Sequence, residues 1–274
     1  MSAWRNGEMP IGRFIEFAKE AGADGIEILD AFLYEPGVVR DHLPSNEVIE
    51  AFVTEASEAL ARTGIKVHAI AVTNDFNHDD NPRLRIERDK ILFGIELAEK
   101  FDAPVVRVFS GNPTSSDGVE LVRYRTIDAL KDFSTPSTVL ALENHGNVFA
   151  SPSRLTSILE PLEEVNVGLC FDMGNFVLAD VDPVSAAESL LAPALIHIKD
   201  FQLSESGPYK SPKGKIYAGC RLGDGVVPIQ ECLNALIERV NDKPVSIDLE
   251  MECGDDGIEA TRAGVAWLRE LLKP

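Results

Sequence analysis

Short runs of β-branched and apolar residues alternate along this chain with longer stretches whose apolar positions recur every three or four residues. That alternation predicts a parallel sheet with helices crossing between its strands. Strands are expected over residues 24–29, 66–73, 104–109, 138–143, 166–172, 194–199 and 245–250. Helices are expected over 46–62, 83–100, 118–133, 153–162, 183–191, 227–240 and 257–272, with one more over 11–21 ahead of the first clear strand. Ser153 after Pro152, and Asp182 before Pro183, carry the cap-and-proline chemistry of helix starts.

A chain of 274 residues with 45% hydrophobic content can bury one large core, and the alternation over 1–274 suits a single (β/α)8 TIM barrel. A closed barrel needs an eighth strand, and the only room for it is ahead of the helix at 11–21, where residues 1–4 make a poor strand. The expectation is a barrel with a short or incomplete first strand. Residues 201–224 hold Gly, Pro and Lys throughout, show no period, and read as a long functional loop.

Composition narrows the function. No apolar run approaches the roughly 20 residues of a membrane helix, and the first residues lack the apolar core and cleavage site of a signal peptide, so a cytoplasmic protein is expected. Cys170, Cys220, Cys232 and Cys253 lie far apart without a C-x-x-C pair and read as buried thiols rather than a disulfide frame or zinc site. A net charge of -19 repels phosphate backbones and anionic lipid, which sets nucleic acid and membrane surfaces aside as partners. A small polyhydroxy molecule remains as the expected partner, with a homo-oligomer left open.

In barrels of this kind the reacting groups stand at the carboxyl ends of the strands. Four consecutive expected strands end in polar residues there: Glu143, Asp172, His197 with Lys199, and Asp248 with Glu250. Carboxylates gathered this closely repel one another, and a bound cation removes the conflict. A lone strand-end Glu is ordinarily a cap or ion-pair partner, and a lone inward His is a core residue about as often as a ligand; the agreement of four strands carries the reading. Oxygen-rich ligation with one nitrogen and no thiolate points to one divalent metal ion, Mn2+, Mg2+, Co2+ or Zn2+, in an open site. Asp248 and Glu250 share a face by strand alternation; Glu250, nearer the strand end, is preferred and Asp248 stands second.

The ordered series Glu143-Asn144-His145-Gly146, Phe171-Asp172-Met173-Gly174-Asn175, His197-Ile198-Lys199-Asp200, Gly223-Asp224-Gly225 and Glu250-Met251-Glu252, preceded by Gly22-Ala23-Asp24-Gly25-Ile26-Glu27, resembles the xylose-isomerase-like barrel superfamily in its sugar phosphate isomerase/epimerase group. The resemblance runs from about residue 11 to residue 272. It implies that Glu143, Asp172, His197 and Glu250 bind one divalent ion. In the ketose 3-epimerases of that superfamily the two glutamates also exchange protons with substrate. Those enzymes carry a substrate-binding His three positions after the Asp, where this chain has Asn175, a departure that bears on ketose 3-epimerase activity and not on the metal.

The chemistry expected is proton abstraction beside a carbonyl, with Glu143 and Glu250 as base and acid and Lys199 steadying an oxyanion or protonating a leaving hydroxyl. His68, Arg107, His145, Asn175 and Arg221 are the candidates for substrate contact, with Glu27 balancing Arg107. The first reading is therefore an isomerase or epimerase of a sugar or keto-polyol. A dehydratase of a keto-polyol or a dehydroshikimate-like acid is the closest rival. An abasic-site endonuclease needs more histidines than the five here and a basic groove, and a non-catalytic sugar binder is a further class. Lys210, Lys213, Lys215 and Arg221, in the 201–224 loop, are expected near the acidic mouth. No Gly-rich phosphate cradle appears, which favours an unphosphorylated substrate.

Overall fold

The computed structural model describes residues 9–35, 38, 40–240, 244–253 and 257–273. The apolar runs form β1 (Gly25–Leu29), β2 (Lys66–Ala71), β3 (Val105–Val108), β4 (Val139–Glu143), β5 (Val167–Asp172), β6 (Leu195–Ile198) and β10 (Ser246–Leu249). They pair in parallel in that order as one seven-stranded sheet, a nearly closed TIM barrel. The strand expected at residues 1–4 lies outside the described residues. Between β1 and β10 opens a cleft lined by Met9, Phe14, Phe32, Leu249 and Ile258, with Glu27, Asp248 and Glu250 on its wall.

The three- and four-residue stripes become α1 (Ile11–Ala21), α2 (Asn46–Thr63), α3 (Asn81–Phe101), α4 (Ser116–Phe133), α6 (Pro152–Leu159), α8 (Pro183–Ser189), α9 (Ile229–Ile237) and α10 (Gly257–Leu271). Two short helices, α5 (Gly146–Phe149) and α7 (Met173–Leu178), directly follow β4 and β5. Their apolar faces close over the outside of the barrel, where Ile15, Ala56, Ile91, Leu130 and Ile158 have no exposed surface. Side-chain caps start α2, α3, α4 and α8 through Ser45, Asp80, Ser115 and Asp182, each accepting from a backbone N–H left over in the first turn.

Two expectations need correction. Ser153 is not a cap: α6 begins at Pro152 with Ser151 at the cap position, because proline is favoured at the first helical residue and the cap precedes it. The same helix tightens into a 3-10 turn at Glu160–Leu162, where Pro161 has no N–H to continue it. The 201–224 stretch is not an aperiodic loop either. It folds as a three-stranded antiparallel sheet of β7 (Asp200–Leu203), β8 (Tyr209–Lys210) and β9 (Ile216–Cys220), with β9 in the middle. Phe201 and Tyr217 are buried there, and the Phe201 and Tyr209 rings pack 5.1 Å apart. Strands this short, broken by Gly, Pro and Lys, leave too few alternations to read as a period.

Inside the barrel the inward residues are layered. Ala69, Val105, Ala141, Cys170 and Leu195 make an apolar floor. Strand alternation then puts Arg107, Glu143, Asp172 and His197 on the same inward face, two residues nearer the carboxyl ends.

Candidate active site

Above the floor, the strand ends bring together one continuous cluster of charged groups. His197 has no exposed surface; its Nδ1 lies 3.3 Å from Glu250 Oε1 and 3.7 Å from Glu143 Oε2. Lys199, two residues further along the same inward face, places Nζ 2.6 Å from Asp172 Oδ2 and 2.7 Å from Glu250 Oε2. Glu143 and Glu250 thus both face His197, while Asp172 reaches the group through Lys199. Lys199 can lie there because residue 174 is glycine: a Cβ on Gly174 would stand 2.6 Å from Lys199 Cγ and 2.7 Å from Phe201 Cε2.

Backbone polar groups orient the acids. The Asn144 side chain clips β4 to β5, donating from Nδ2 to the Asp172 carbonyl at 2.9 Å and accepting the Asp172 N–H at 2.7 Å. Asp172 Oδ1 accepts the Asn175 N–H that opens α7, which leaves Oδ2 for a cation. Asn175 Nδ2 in turn donates to Glu143 Oε1 at 2.8 Å, so the amide of this candidate substrate contact is engaged with a glutamate. Arg107 Nε lies 3.1 Å from Glu143 Oε2 and 3.9 Å from Glu27 Oε1, so the arginine serves Glu143 more closely than Glu27. Its guanidinium covers the Phe109 ring at 4.1 Å, and the exposed His145 ring at the mouth stacks on Phe109 at 4.2 Å.

The remaining candidates stand apart. His68 alternates with the inward Ala69 and lies instead over Gly25, where a Cβ would be 1.9 Å from its Cδ2. Arg221 is exposed on the turn after β9, outside the buried cluster. The antiparallel sheet is tied down beside the site: Asp200 accepts N–H bonds from Phe201, Gly223, Gly225 and Val227, and the Tyr209 hydroxyl donates to Glu252 Oε2 at 2.7 Å. Of its lysines, Lys215 pairs with Asp180 at 3.7 Å and Lys210 is exposed on β8.

The sequence placed Glu27 opposite Arg107, but the structure brings it nearer to His197. Its Oε2 lies 3.4 Å from His197 Nε2, opposite the Nδ1 side. A glutamate embedded in the apolar run Gly25–Leu29 was the available signal, since an unpaired charge is rare in a buried strand.

Charge and solvation in this cluster are unbalanced. Among the described residues, Glu27, Glu143, Asp172, Asp248 and Glu250 face Arg107, Lys199 and His197 as cations. Burial, reinforced by Glu250 and Glu143, pushes the Asp172 carboxyl up against the pull of Lys199, and burial beside Glu27 pushes Asp248 up. Burial works against the charges of Lys199 and His197, yet Asp172 and Glu250 hold the lysine, and Glu27 and Glu250 the imidazole, well above their ordinary ranges. Among the described residues, Glu143 Oε2, Asp172 Oδ2 and both His197 nitrogens are buried with charged neighbours but without a hydrogen bond of good geometry. Buried polar atoms left this way are costly, and several aimed at one volume fit a cation that is to be bound there. Two overlapping ligand groups result, Glu143 with Cys170 and His197, and Glu27 with His197, Asp248 and Glu250.

A family model described as xylose isomerase-like TIM barrel matches residues 15–271. The chain belongs to this family. Solved structures share its fold at low identity. A xylose isomerase-like TIM barrel protein from Mycobacterium smegmatis in complex with magnesium is 19% identical, with TM-score 0.68 over 97% of this chain and 90% of that one. The 3-keto-D-glucoside 4-epimerase YcjR from E. coli is 17% identical, with TM-score 0.65 over 95% and 94%. The probable 3-DHS dehydratase AsbF from Bacillus anthracis is 16% identical, with TM-score 0.68 over 97% and 96%. No curated protein matches the chain at a significant level. No described helix is long and apolar enough to cross a membrane.

Proposed function

We propose that this barrel is a divalent-metal-dependent isomerase or epimerase of a sugar or keto-polyol. The observation that carries the reading is that Glu143 Oε2, Asp172 Oδ2 and His197 Nδ1, buried at three neighbouring strand ends, have charged neighbours but no hydrogen bond of their own. Glu143, Asp172, His197 and Glu250 are the residues that hold the ion, which when bound polarises a substrate carbonyl and stabilises the negative charge that develops on its oxygen. Asp248 lies on the Glu27 side of His197 and ranks behind Glu250, whose oxygens also meet Lys199.

The protein groups then divide the work. Glu143 and Glu250 both face the His197 Nδ1 and exchange the carbon-bound proton, one removing it and the other returning it. Asn175 fixes one Glu143 oxygen and Arg107 flanks the other, which aims the carboxylate and restrains its rotation. Lys199 brings an ammonium to the same volume, where it steadies an oxyanion or gives a proton to a departing hydroxyl. The tethered sheet of β7 to β9 forms a rim that limits water at the mouth.

The test is solvent deuterium uptake at the carbon beside the carbonyl across a panel of ketoses and keto-acids, before and after exhaustive chelation and metal return. Exchange that requires metal and falls by at least ~100-fold in Glu143→Gln and Glu250→Gln supports the reading. Loss of a hydroxyl from the product moves the enzyme to the dehydratase class. Full activity after chelation, or wild-type exchange in the Glu143→Gln/Glu250→Gln double variant, removes the mechanism.

A further inference from the structure

We infer that Glu27 is a positioning residue that holds the Nε2 proton of His197 and thereby turns the Nδ1 lone pair toward Glu143 and Glu250. The inference rests on the proposed cation site. A neutral imidazole carries one proton, so one nitrogen accepts or ligates while the other donates. His197 is fully buried, and water cannot serve either nitrogen. Its Nδ1 faces the Glu143 and Glu250 oxygens at 3.7 and 3.3 Å, whereas Nε2 faces Glu27 Oε2 at 3.4 Å. A cation shared by the two strand-end glutamates therefore takes Nδ1, and the proton stays on the Glu27 side. Metal-bound histidines characteristically donate the second N–H to a carboxylate or carbonyl, which fixes the tautomer and raises ligand basicity.

Glu27 is built for this contact. It is 5% exposed, its Oε2 and His197 Nε2 are buried without a satisfied hydrogen bond and face each other at 3.4 Å, Asp248 lies beside it, and Arg107 at 3.9 Å is too distant to claim Oε1. The local backbone aims it. Gly25 pairs with Lys66 and Ile26 with Val67, but Glu27 pairs with Ala69, so His68 is the extra residue of a bulge. Gly25 leaves the space its ring fills. Bulges re-aim the side chains beside them, and this one precedes Glu27 directly. His68 thus acts on the site through backbone geometry rather than through substrate.

The test uses Zn2+ as the probe and reads binding and tautomer rather than turnover. Calorimetry on the full chain is expected to show Zn2+ affinity falling by about 10–100-fold in Glu27→Met. Glu27→Gln should recover most of that loss, because its amide oxygen still accepts the Nε2–H. Histidine-selective long-range 1H–15N spectra of the zinc-loaded wild type should show the proton on Nε2 and the metal-shifted signal on Nδ1, a readout independent of whether the variants fold. Unchanged affinity in a folded Glu27→Met, equal losses in both variants, or zinc on Nε2 would overturn the role of Glu27. A wild type that binds no Zn2+ removes the cation site itself and this role with it.

Discussion

Two layers of the barrel interior, separated by one repeat of strand alternation, are built from opposite chemistry. The floor of Ala69, Val105, Ala141, Cys170 and Leu195 is apolar and closely packed. The layer above it holds Arg107, Glu143, Asp172 and His197, with Lys199 and Glu250 at the rim, and several of its buried atoms have charged neighbours but no hydrogen bond. The same strands supply both. The difference shows that stability and chemistry are divided along the strand: the floor gains from excluding water, whereas the upper layer holds charges whose solvation has been removed and only partly replaced. Such a layer is an expense to the fold unless something binds it.

The strongest attack on that contrast is Asp172→Ala. Divalent-metal affinity is expected to fall by more than the ~100-fold typical of losing an outer partner, while the melting temperature falls without loss of the fold, because Lys199 and α7 each lose a contact but the apolar floor is untouched. Calorimetry and thermal melting read the two arms, and a collapse of the fold would refute the division. The same variant tests pH. The folded-state pKa of Asp172 is raised, by burial first and by its glutamate neighbours, to about 6. Its contribution to stability is therefore full below the unfolded pKa and is lost as pH rises through about 6. The metal-free wild type should lose stability over that interval, and Asp172→Ala should lack this part of the slope in urea melts at pH 4 to 7.

Leu195→Ala makes the converse change in the floor. It should reduce stability by ~2–5 kcal/mol in urea unfolding while metal affinity stays within about tenfold of wild type. A loss of affinity matching that of Asp172→Ala would show that the two layers act as one.

Two smaller changes sharpen the boundary. Gly174→Ala pushes a methyl group into the stem of Lys199 and should reduce stability by ~1–3 kcal/mol. It should also release Asp172 from the lysine, seen as a changed metal affinity. Asn144→Ala leaves the Asp172 N–H and carbonyl without their side-chain partner, for a loss of ~1–3 kcal/mol. An unchanged melting curve there would mean that β4 and β5 need no clip at their ends.

Much of this organisation was legible in the chain. All seven expected strands and the main helices appear, because period two and period 3.6 are local signals that tertiary packing then confirms. The charged strand ends at Glu143, Asp172, His197 and Glu250 were legible for the same reason. The helix start at residue 153 was misplaced by two residues at its cap, since Pro152 marks the first turn and not the residue before the cap. The 201–224 sheet was hidden because its strands are held by pairing between residues such as Phe201 and Gly219, contacts that no local period records.

What the sequence determined by itself is which residues face inward along each strand, for alternation is a property of the extended backbone alone. What only the tertiary structure decided is which inward residues meet. His68 and Glu27 illustrate the division: both lie in or beside apolar runs on neighbouring strands, and both were candidates for the interior. A one-residue shift in register between β1 and β2 leaves His68 over Gly25 and sends Glu27 to the far nitrogen of His197. Register is set by how two strands pack against each other, so the partner of a buried charge is fixed only when both strands are in place.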